Sequence, residues 1–351
     1  MHTLKIFNEG IENIPAQITW YLTDLSEAKG KQELYKLQSP QKLRVLKEHA
    51  LIESAVSSNR IEGVEVDNNR IGTVLFGKAP LKDRNEEEIQ GYRNALEWIH
   101  DDNASIKIND TSIKKMHKLS RGVIWDAGRY KEKDCDIIER LQSGDVKVRF
   151  KTVNAKDTPA YMKSLHNLYH DLLKNQEIHP LLVVIAYNLD FLCIHPFRDG
   201  NGRVSRLLLL LQLYHIGFDV GKFISFERII EDHKDRYYET LEISSQKWHN
   251  GKHDPWTYIG YVLYILRLAY SEFMMRVEKI DVPRGAKTDL VIQQIDSMKD
   301  DFSISALQNT CPTVSKDMVK KILQDLKKNG KVISKGKGVA ARWSKTNSFN
   351  G

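Results

Sequence analysis

Twelve consecutive residues hold the densest chemistry in the chain: His195, Pro196, Phe197, Arg198, Asp199, Gly200, Asn201, Gly202, Arg203, Val204, Ser205 and Arg206. His195 is the one group among them that exchanges a proton near neutrality without a large pKa shift. Asp199 suits an oxygen ligand for Mg²⁺. Gly200 and Gly202 permit a close turn, and Asn201 is a residue type that caps the helix it would open. A helix start carries free N–H groups and partial positive charge, so it favours an anion. Arg203 and Arg206, three apart, share a face from which both reach that anion. A proton acceptor, a metal carboxylate, an anion cradle and two arginines together describe a phosphate-transfer site. The Walker ending Gly-Lys-Ser/Thr is absent. The dinucleotide fingerprint fails too, since the third glycine is missing and the preceding pattern is helical.

Such residues need rigid neighbours. The apolar run Leu181 to Ile194 leads into the stretch and Leu207 to Leu213 follows it, which predicts a buried helix, a polar turn and a second buried helix.

The twelve residues match, without departure, the HPFx(D/E)GNGRxxR signature, and the chain therefore resembles the Fic family, whose members transfer AMP from ATP to a protein hydroxyl. The resemblance implies His195 as the proton acceptor and Asp199 as the Mg²⁺ ligand. It implies Gly200, Asn201 and Gly202 as the cradle of the α- and β-phosphates, Arg203 on the β-phosphate and Arg206 on the γ-phosphate. Upstream, Ser58-Asn59-Arg60-Ile61-Glu62-Gly63 matches the (S/T)xxxE(G/N) inhibitory motif of that family. Ser58, Glu62 and Gly63 are its fixed positions, and the family reading pairs Glu62 with Arg206. A carboxylate in a guanidinium fork removes the fork from an anionic ligand.

Composition narrows the class. The chain has 351 residues, 41% hydrophobic and 28% charged, an ordinary globular mixture spanning more than one domain. Cys135, Cys193 and Cys311 are too scattered for a disulfide framework or a zinc spacing. No apolar run reaches about 18 residues, and no leader pattern opens the chain, so a cytoplasmic protein that does not cross a membrane is expected. Between Arg284 and Lys345 there are thirteen Lys/Arg against six Asp/Glu, which accounts for the whole net charge of +7. That placement makes nucleic acid a candidate partner of the C-terminal segment alone.

The rest of the chain reads as mainly α. Residues 1–110 form a helical region holding the inhibitory motif, with Ala50 to Ile61 a helix ended by Gly63. Arg84 to Trp98 is a charged helix whose Glu86-Glu87-Glu88 run is read as a solvated face. Residues 111–280 form the Fic core: a helix over Ile113 to Ile124, then strands at Asp136-Ile137-Ile138 and Val146 to Phe150 around the turn Ser143-Gly144-Asp145. This β-hairpin lies where the family has its flap, which aligns a target backbone by strand addition. Helices follow over Pro159 to Leu173, Ser225 to Leu241 and Trp256 to Val277. Packing is the expected role of Tyr237 and Tyr238, with an adenine contact the alternative. After a linker over Asp281 to Gly285, residues 284–345 read helix, helix, helix, hairpin, which resembles a winged helix-turn-helix. There Lys316, Lys320, Lys327 and the Lys335-Gly336-Lys337-Gly338 tip are candidates for phosphate contact.

The expected function is adenylylation of a Ser, Thr or Tyr hydroxyl on a protein, this chain included, with ATP as substrate, Mg²⁺ as metal and Glu62 as brake. The rivals are removal of AMP by the same site and a DNA-binding regulator with a Fic sensor core. A homodimer is one of the assemblies left open.

Overall fold

The computed structural model describes residues 2–38, 40–67, 70–77, 80–122, 124–140, 145–279, 286–298, 301–311, 314–336, 341–346 and 348–349. Four helices open the chain: α1 (His2–Glu9), α2 (Ala16–Gln38), α3 (Pro40–Ile61) and α4 (Ile71–Phe76). Then come α5 (Arg84–Asp102), α6 (Asp110–Arg121), the hairpin β1 (Ile137–Arg140) and β2 (Val146–Phe150), and α7 (Thr158–Asn175). The middle holds α8 (Pro180–Ile194), α9 (Asn201–His215), α10 (Phe226–Asp232), α11 (Lys234–Ser245) and α12 (Trp256–Lys279). The chain ends with α13 (Ala286–Ser297), α14 (Ile304–Thr310), α15 (Lys316–Lys328) and the hairpin β3 (Val332–Lys335) and β4 (Arg342–Lys345). The described residues are mainly helical, with two small antiparallel sheets among them.

The α8 helix is apolar all round, and every residue but Pro180 and Leu192 is buried. A helix without a polar face must be surrounded, and α8 packs against α7, α9, α12 and α1. Each Leu or Ile so covered contributes roughly 1.5–3 kcal/mol. Its two polar residues are satisfied within the core. Asn188 donates to the Ser205 carbonyl at 2.8 Å and accepts from the Tyr258 hydroxyl at 2.7 Å. Asp190 accepts from the backbone N–H groups of Thr3 and Leu4, at 2.9 and 3.0 Å, and from Trp248 Nε1 at 2.6 Å. One buried acid thus fastens the start of α1 to the central helix.

Local signals set the helix ends. Asp83 caps α5 by accepting from Glu86 N–H at 3.0 Å, and Asn109 caps α6 through Ser112 N–H at 3.0 Å. The helix expected as one piece from Ser225 to Leu241 is two. His233 leaves helical geometry at φ −122°, and its ring nitrogen Nδ1 takes the Ile229 carbonyl at 2.9 Å, so α10 ends and α11 starts afresh.

Two cores form. One runs from Leu4 to Val277 without a break at residue 110. The other gathers Leu290, Val291, Leu307, Val319, Leu323 and Trp343 of the C-terminal elements, together with Val45 of α3. In that second unit Phe302 bridges Trp343 through two backbone bonds of 2.9 and 2.8 Å, and β3 pairs with β4 from Val332 opposite Lys345 to Lys335 opposite Arg342. Lys320 pairs with Asp317 at 3.3 Å, and Lys327 donates to Ser334 at 2.6 Å, so both lysines have neighbours on their own unit. The linker from Asp281 to Gly285, the tip residues Lys337 and Gly338, and Ser143 and Gly144 of the first hairpin's turn lie outside the described residues.

Candidate active site

The site is a turn between two buried helices, closed from above by the end of a third. The chain leaves α8 through His195, whose φ of 54° is left-handed, and enters α9 through Gly200, with φ 82°. His195 is one of three described non-glycine residues with positive φ, a conformation that costs energy and persists only where its surroundings impose it. The loop between is clasped from several sides. Asn201 accepts from Phe197 N–H at 2.9 Å and donates to the Phe197 carbonyl at 2.8 Å. The His117 ring stacks flat on Phe197 with centroids 3.9 Å apart, and its Nε2 meets the Asp199 carbonyl at 3.0 Å. Because His117 Nδ1 accepts from Gly128 N–H, the proton is assigned to Nε2. Asn201 therefore does not cap α9: its amide is spent on Phe197, and the cap position falls on Gly200.

The lid is the end of α3. Val64 N–H bonds the Asn59 carbonyl at 2.9 Å and Gly63 N–H bonds the Arg60 carbonyl at 3.0 Å, a Schellman motif with Gly63 left-handed at φ 78°. Glu62 is the residue at that helix end, and its carboxylate reaches Arg206 Nη2 at 2.8 Å. Ser58 joins it, its hydroxyl accepting from Arg206 Nε and its carbonyl from Nη2, both at 2.9 Å. The close approach needs Gly202, because a Cβ there would collide with Glu62 Oε1. Burial works against the Arg206 charge, but Glu62 outweighs it and raises the guanidinium pKa above its ordinary value.

Arg203 joins the same helix end to α5. Its Nη1 donates to Glu88 Oε2 at 2.6 Å and to Asn59 Oδ1 at 3.1 Å. Glu88 Oε1 accepts from Arg121 at 2.6 Å and from Arg84 at 2.9 Å. Arg121 in turn holds Asp199 Oδ2 at 2.8 Å, while Asp199 Oδ1 accepts from Gly200 N–H at 2.6 Å. Partial burial pushes the Asp199 carboxyl up, but Arg121 and Arg203 outweigh it and hold the group below its ordinary range. The acidic run read as a solvated face is therefore mostly interior. Glu86 and Glu88 are each 2% exposed, Glu86 bonding Arg70 and Glu88 bonding the three arginines. Three acids near the start of a helix carry the same letters whether they face water or cations.

His195, Glu62 and Gly202 line one cavity of about 250 Å³, with Tyr237, Tyr238 and Leu241 on its far wall. Burial, followed by the charge of Lys131, pushes the His195 imidazole down to about 4, so it is neutral at pH 7. Its Nδ1 faces the Leu192 carbonyl at 3.3 Å, which assigns the ring proton there and leaves Nε2 as the basic atom. Lys131, itself buried, donates to Thr152 at 2.7 Å and to the Ile194 carbonyl at 3.3 Å. Ile137, Arg149 and Phe150 of the first hairpin form the cavity's rim. Ile138 stands opposite Val148 on that hairpin, the two side chains 47% and 53% exposed. Tyr237 is buried, whereas Tyr238 is part-buried and donates to the Ile61 carbonyl at 3.3 Å. His249 and His253 engage separate partners, the Lys151 carbonyl at 2.6 Å and Thr3 at 2.8 Å.

Glu88, Arg121, Lys131, His117 and Asn59 are site neighbours that the sequence reading did not select. Asn59 lies inside the quoted inhibitory motif, at one of its unspecified positions. The other four sit outside both motifs and have no local signal beyond their residue types.

Residues 105–213 match the Fic/DOC family. A Nematostella vectensis protein named protein adenylyltransferase Fic is 25% identical over 187 residues, covering 50% of this chain and 40% of its own length. An Aedes aegypti protein of the same name is 29% identical over 91 residues, covering 25% of this chain and 17% of its own. The matches thus span less than half the length of these curated relatives. The crystal structure of a Fic family protein from Desulfovibrio desulfuricans G20 superposes on 95% of this chain and 97% of that one, with a TM-score of 0.62 and 22% identity, a likeness of fold.

Proposed function

With a Fic/DOC-family domain at residues 105–213, we propose that this protein transfers AMP from ATP to a Ser, Thr or Tyr hydroxyl of a protein, its own chain included. The reading is carried by one observation: His195, Gly202 and the Arg206-bound Glu62 meet in a single cavity. In the step proposed, the target hydroxyl oxygen attacks the α-phosphorus, the bond to the β-phosphate oxygen breaks, and pyrophosphate leaves. The hydroxyl proton passes to His195 Nε2, the atom left unprotonated by the bond at Nδ1. Backbone N–H groups of Asn201 and Gly202 would face the phosphates at the α9 start, with Gly200 making the turn. Arg203 takes the β-phosphate and Arg206 the γ-phosphate, and Glu62, oriented by Ser58 and Gly63, keeps Arg206 from doing so. With little covalent work to do, the protein contributes position and charge.

Mg²⁺ would be held by Asp199. The donor set fits a phosphate-borne ion: one carboxylate, 58% exposed at the turn, is the usual protein share of a magnesium shell completed by phosphates and water. When bound, the ion would neutralise phosphate charge. Glu62 also lines the cavity beside His195, which favours a second reading in which it positions water for removal of AMP.

The lid and the basic C-terminal unit complete the proposal. Residues 1–110 regulate, 111–280 catalyse, and 284–345 form a winged helix-turn-helix that offers Lys316 and its neighbours to nucleic acid. The protein works in the cytoplasm, alone or as a homodimer. The decisive assay gives the full chain ATP labelled at the α- or the γ-phosphate. Protein label from the α position, lost in His195→Ala, is expected; label from the γ position alone would make the protein a kinase and end this reading.

A further inference from the structure

We propose that Glu88 is a positioning residue that sets how freely Asp199 can bind a metal ion, by sharing Arg121 with it. The inference rests on the nucleotide-site reading above. Its geometry is a chain of alternating charges: Arg203, Glu88, Arg121, Asp199. Glu88 uses both oxygens, Oε2 on Arg203 and Oε1 on Arg121, each at 2.6 Å. Arg121 divides its two terminal nitrogens between carboxylates, Nη1 on Glu88 and Nη2 on Asp199 at 2.8 Å. Arg84 spans the same pair from the surface, 2.9 Å from Glu88 and 3.9 Å from Asp199.

The consequence follows from burial. Glu88, Arg121 and Arg203 are each 2% exposed, while Asp199 stands half in water. The Nε atoms of Arg121 and Arg203 have no hydrogen-bond partner among the described residues. Glu88 is therefore the main compensation for two interior cations, and a buried charge deprived of its partner is strongly disfavoured. Without the Glu88 charge, Arg121 has Asp199 as its nearest remaining carboxylate, and so does Arg84. Asp199 would then be neutralised by arginine instead of being offered to a cation. Gly200 keeps the arrangement tight, since a Cβ there would stand 2.7 Å from Arg121 Cδ. Arg121 cannot swing away under the turn, so its charge must be met where it lies. Glu88 acts on Arg203 in the same way, holding the guanidinium at the foot of α9.

The test titrates Mn²⁺, followed by its paramagnetic resonance, into the full chain saturated with ATP, and separately measures ATP affinity in EDTA. Wild type, Glu88→Gln and Arg84→Gln are compared. The near-isosteric glutamine keeps the shape and removes the charge. Glu88→Gln should raise the half-saturating Mn²⁺ concentration on the order of tenfold, as expected for one charge lost a few ångströms away in a partly buried site. AMP transfer by Glu88→Gln should recover as Mg²⁺ is raised, a rescue that a merely structural defect would not show. Arg84→Gln, at an exposed position, should move the Mn²⁺ midpoint the other way, at least twofold tighter. A folded Glu88→Gln protein with the wild-type Mn²⁺ midpoint overturns the inference. If Glu88→Gln does not fold, an unchanged midpoint in Arg84→Gln overturns it instead. A wild-type chain that binds neither ATP nor Mn²⁺ would sink the nucleotide-site reading itself, and this inference with it.

Discussion

Replacing Glu62 by glycine tests the link between two stretches 144 residues apart in sequence. Arg206 is 3% exposed and Glu62 28%, so the pair is neither fully buried nor freely solvated. A charge-assisted hydrogen bond in such a setting contributes about 1.5–3 kcal/mol. A γ-phosphate that must displace the carboxylate forgoes that amount, and each 1.4 kcal/mol is tenfold. Glu62→Gly should therefore raise the kcat/KM for ATP in AMP transfer about 10- to 100-fold. Arg206 should stay in place, because the Ser58 hydroxyl and carbonyl still hold its Nε and Nη2. Glu62→Asp should inhibit partially, its shorter side chain reaching less far. Arg206→Ala should not activate, since it removes the brake's partner together with the phosphate ligand. The double variant should match Arg206→Ala alone, the non-additivity expected of residues acting through one interaction. The assay is incorporation of α-labelled AMP into protein across an ATP series for all four variants. A Glu62→Gly protein that binds ATP yet labels no faster than wild type would refute the inhibitory reading. If that variant instead lost the ability to strip AMP from a modified protein, Glu62 would be a water-positioning residue.

Three further outcomes are expected. His195 is held near 4, and the base is its neutral form, so transfer should be flat from about pH 6 upward and fall only as pH drops toward 4. A midpoint between 6 and 7 in the rate profile would contradict a lowered His195 imidazole. Gly200→Ala must take a left-handed φ of 82° and press on Arg121 Cδ at 2.7 Å, so a loss of about 1–3 kcal/mol in urea unfolding is expected. Wild-type stability would show that the turn relaxes. Truncation before Ala286 uncovers Val45 and one side of α3, and should lower Tm while leaving AMP labelling measurable. A folded but inactive truncated protein would place the C-terminal unit inside the catalytic one.

The parts of the fold that could be read in sequence are those whose signal is local. The α8 and α9 runs are apolar on every face, and only burial accommodates that pattern, so their place at the centre followed from composition alone. The α15 helix, with Val319, Ile322, Leu323 and Leu326 on one face, was legible for the same reason. Where the signal is a balance, the reading failed. The break at His233 depends on whether a ring or a backbone N–H takes the Ile229 carbonyl, and nothing in the neighbouring residue types decides it. The α3 helix was expected from Ala50 and begins at Pro40. Val45, in the part that was missed, is buried in the core built by residues after 286, a partner that no window around α3 contains.

The site divides along the same line, and the division has a physical cause. His195, Gly200, Asn201, Gly202 and Arg206 are found together in the sequence because a tight turn between two helices makes the residues it gathers neighbours in the chain. The charges that tune them obey no such constraint. Glu88 comes from the second turn of α5 and Arg121 from the last residue of α6, and they meet only because α5, α6 and α9 pack together. The Glu86-Glu87-Glu88 run shows why composition misleads here. An acid near a helix start is favourable in water through the dipole, and a buried acid is favourable only beside cations. Both conditions produce the same three letters. Asn201 failed differently: its type suits an N-cap, but Phe197 lies four residues earlier with both backbone groups unpaired by any helix, and one amide satisfies both. Closing that pair of orphan groups inside the core takes the Asn201 amide, and α9 starts at Gly200 with no side-chain cap. The motif thus names the residues gathered at one turn, while the charges around that turn come from residues the motif does not contain.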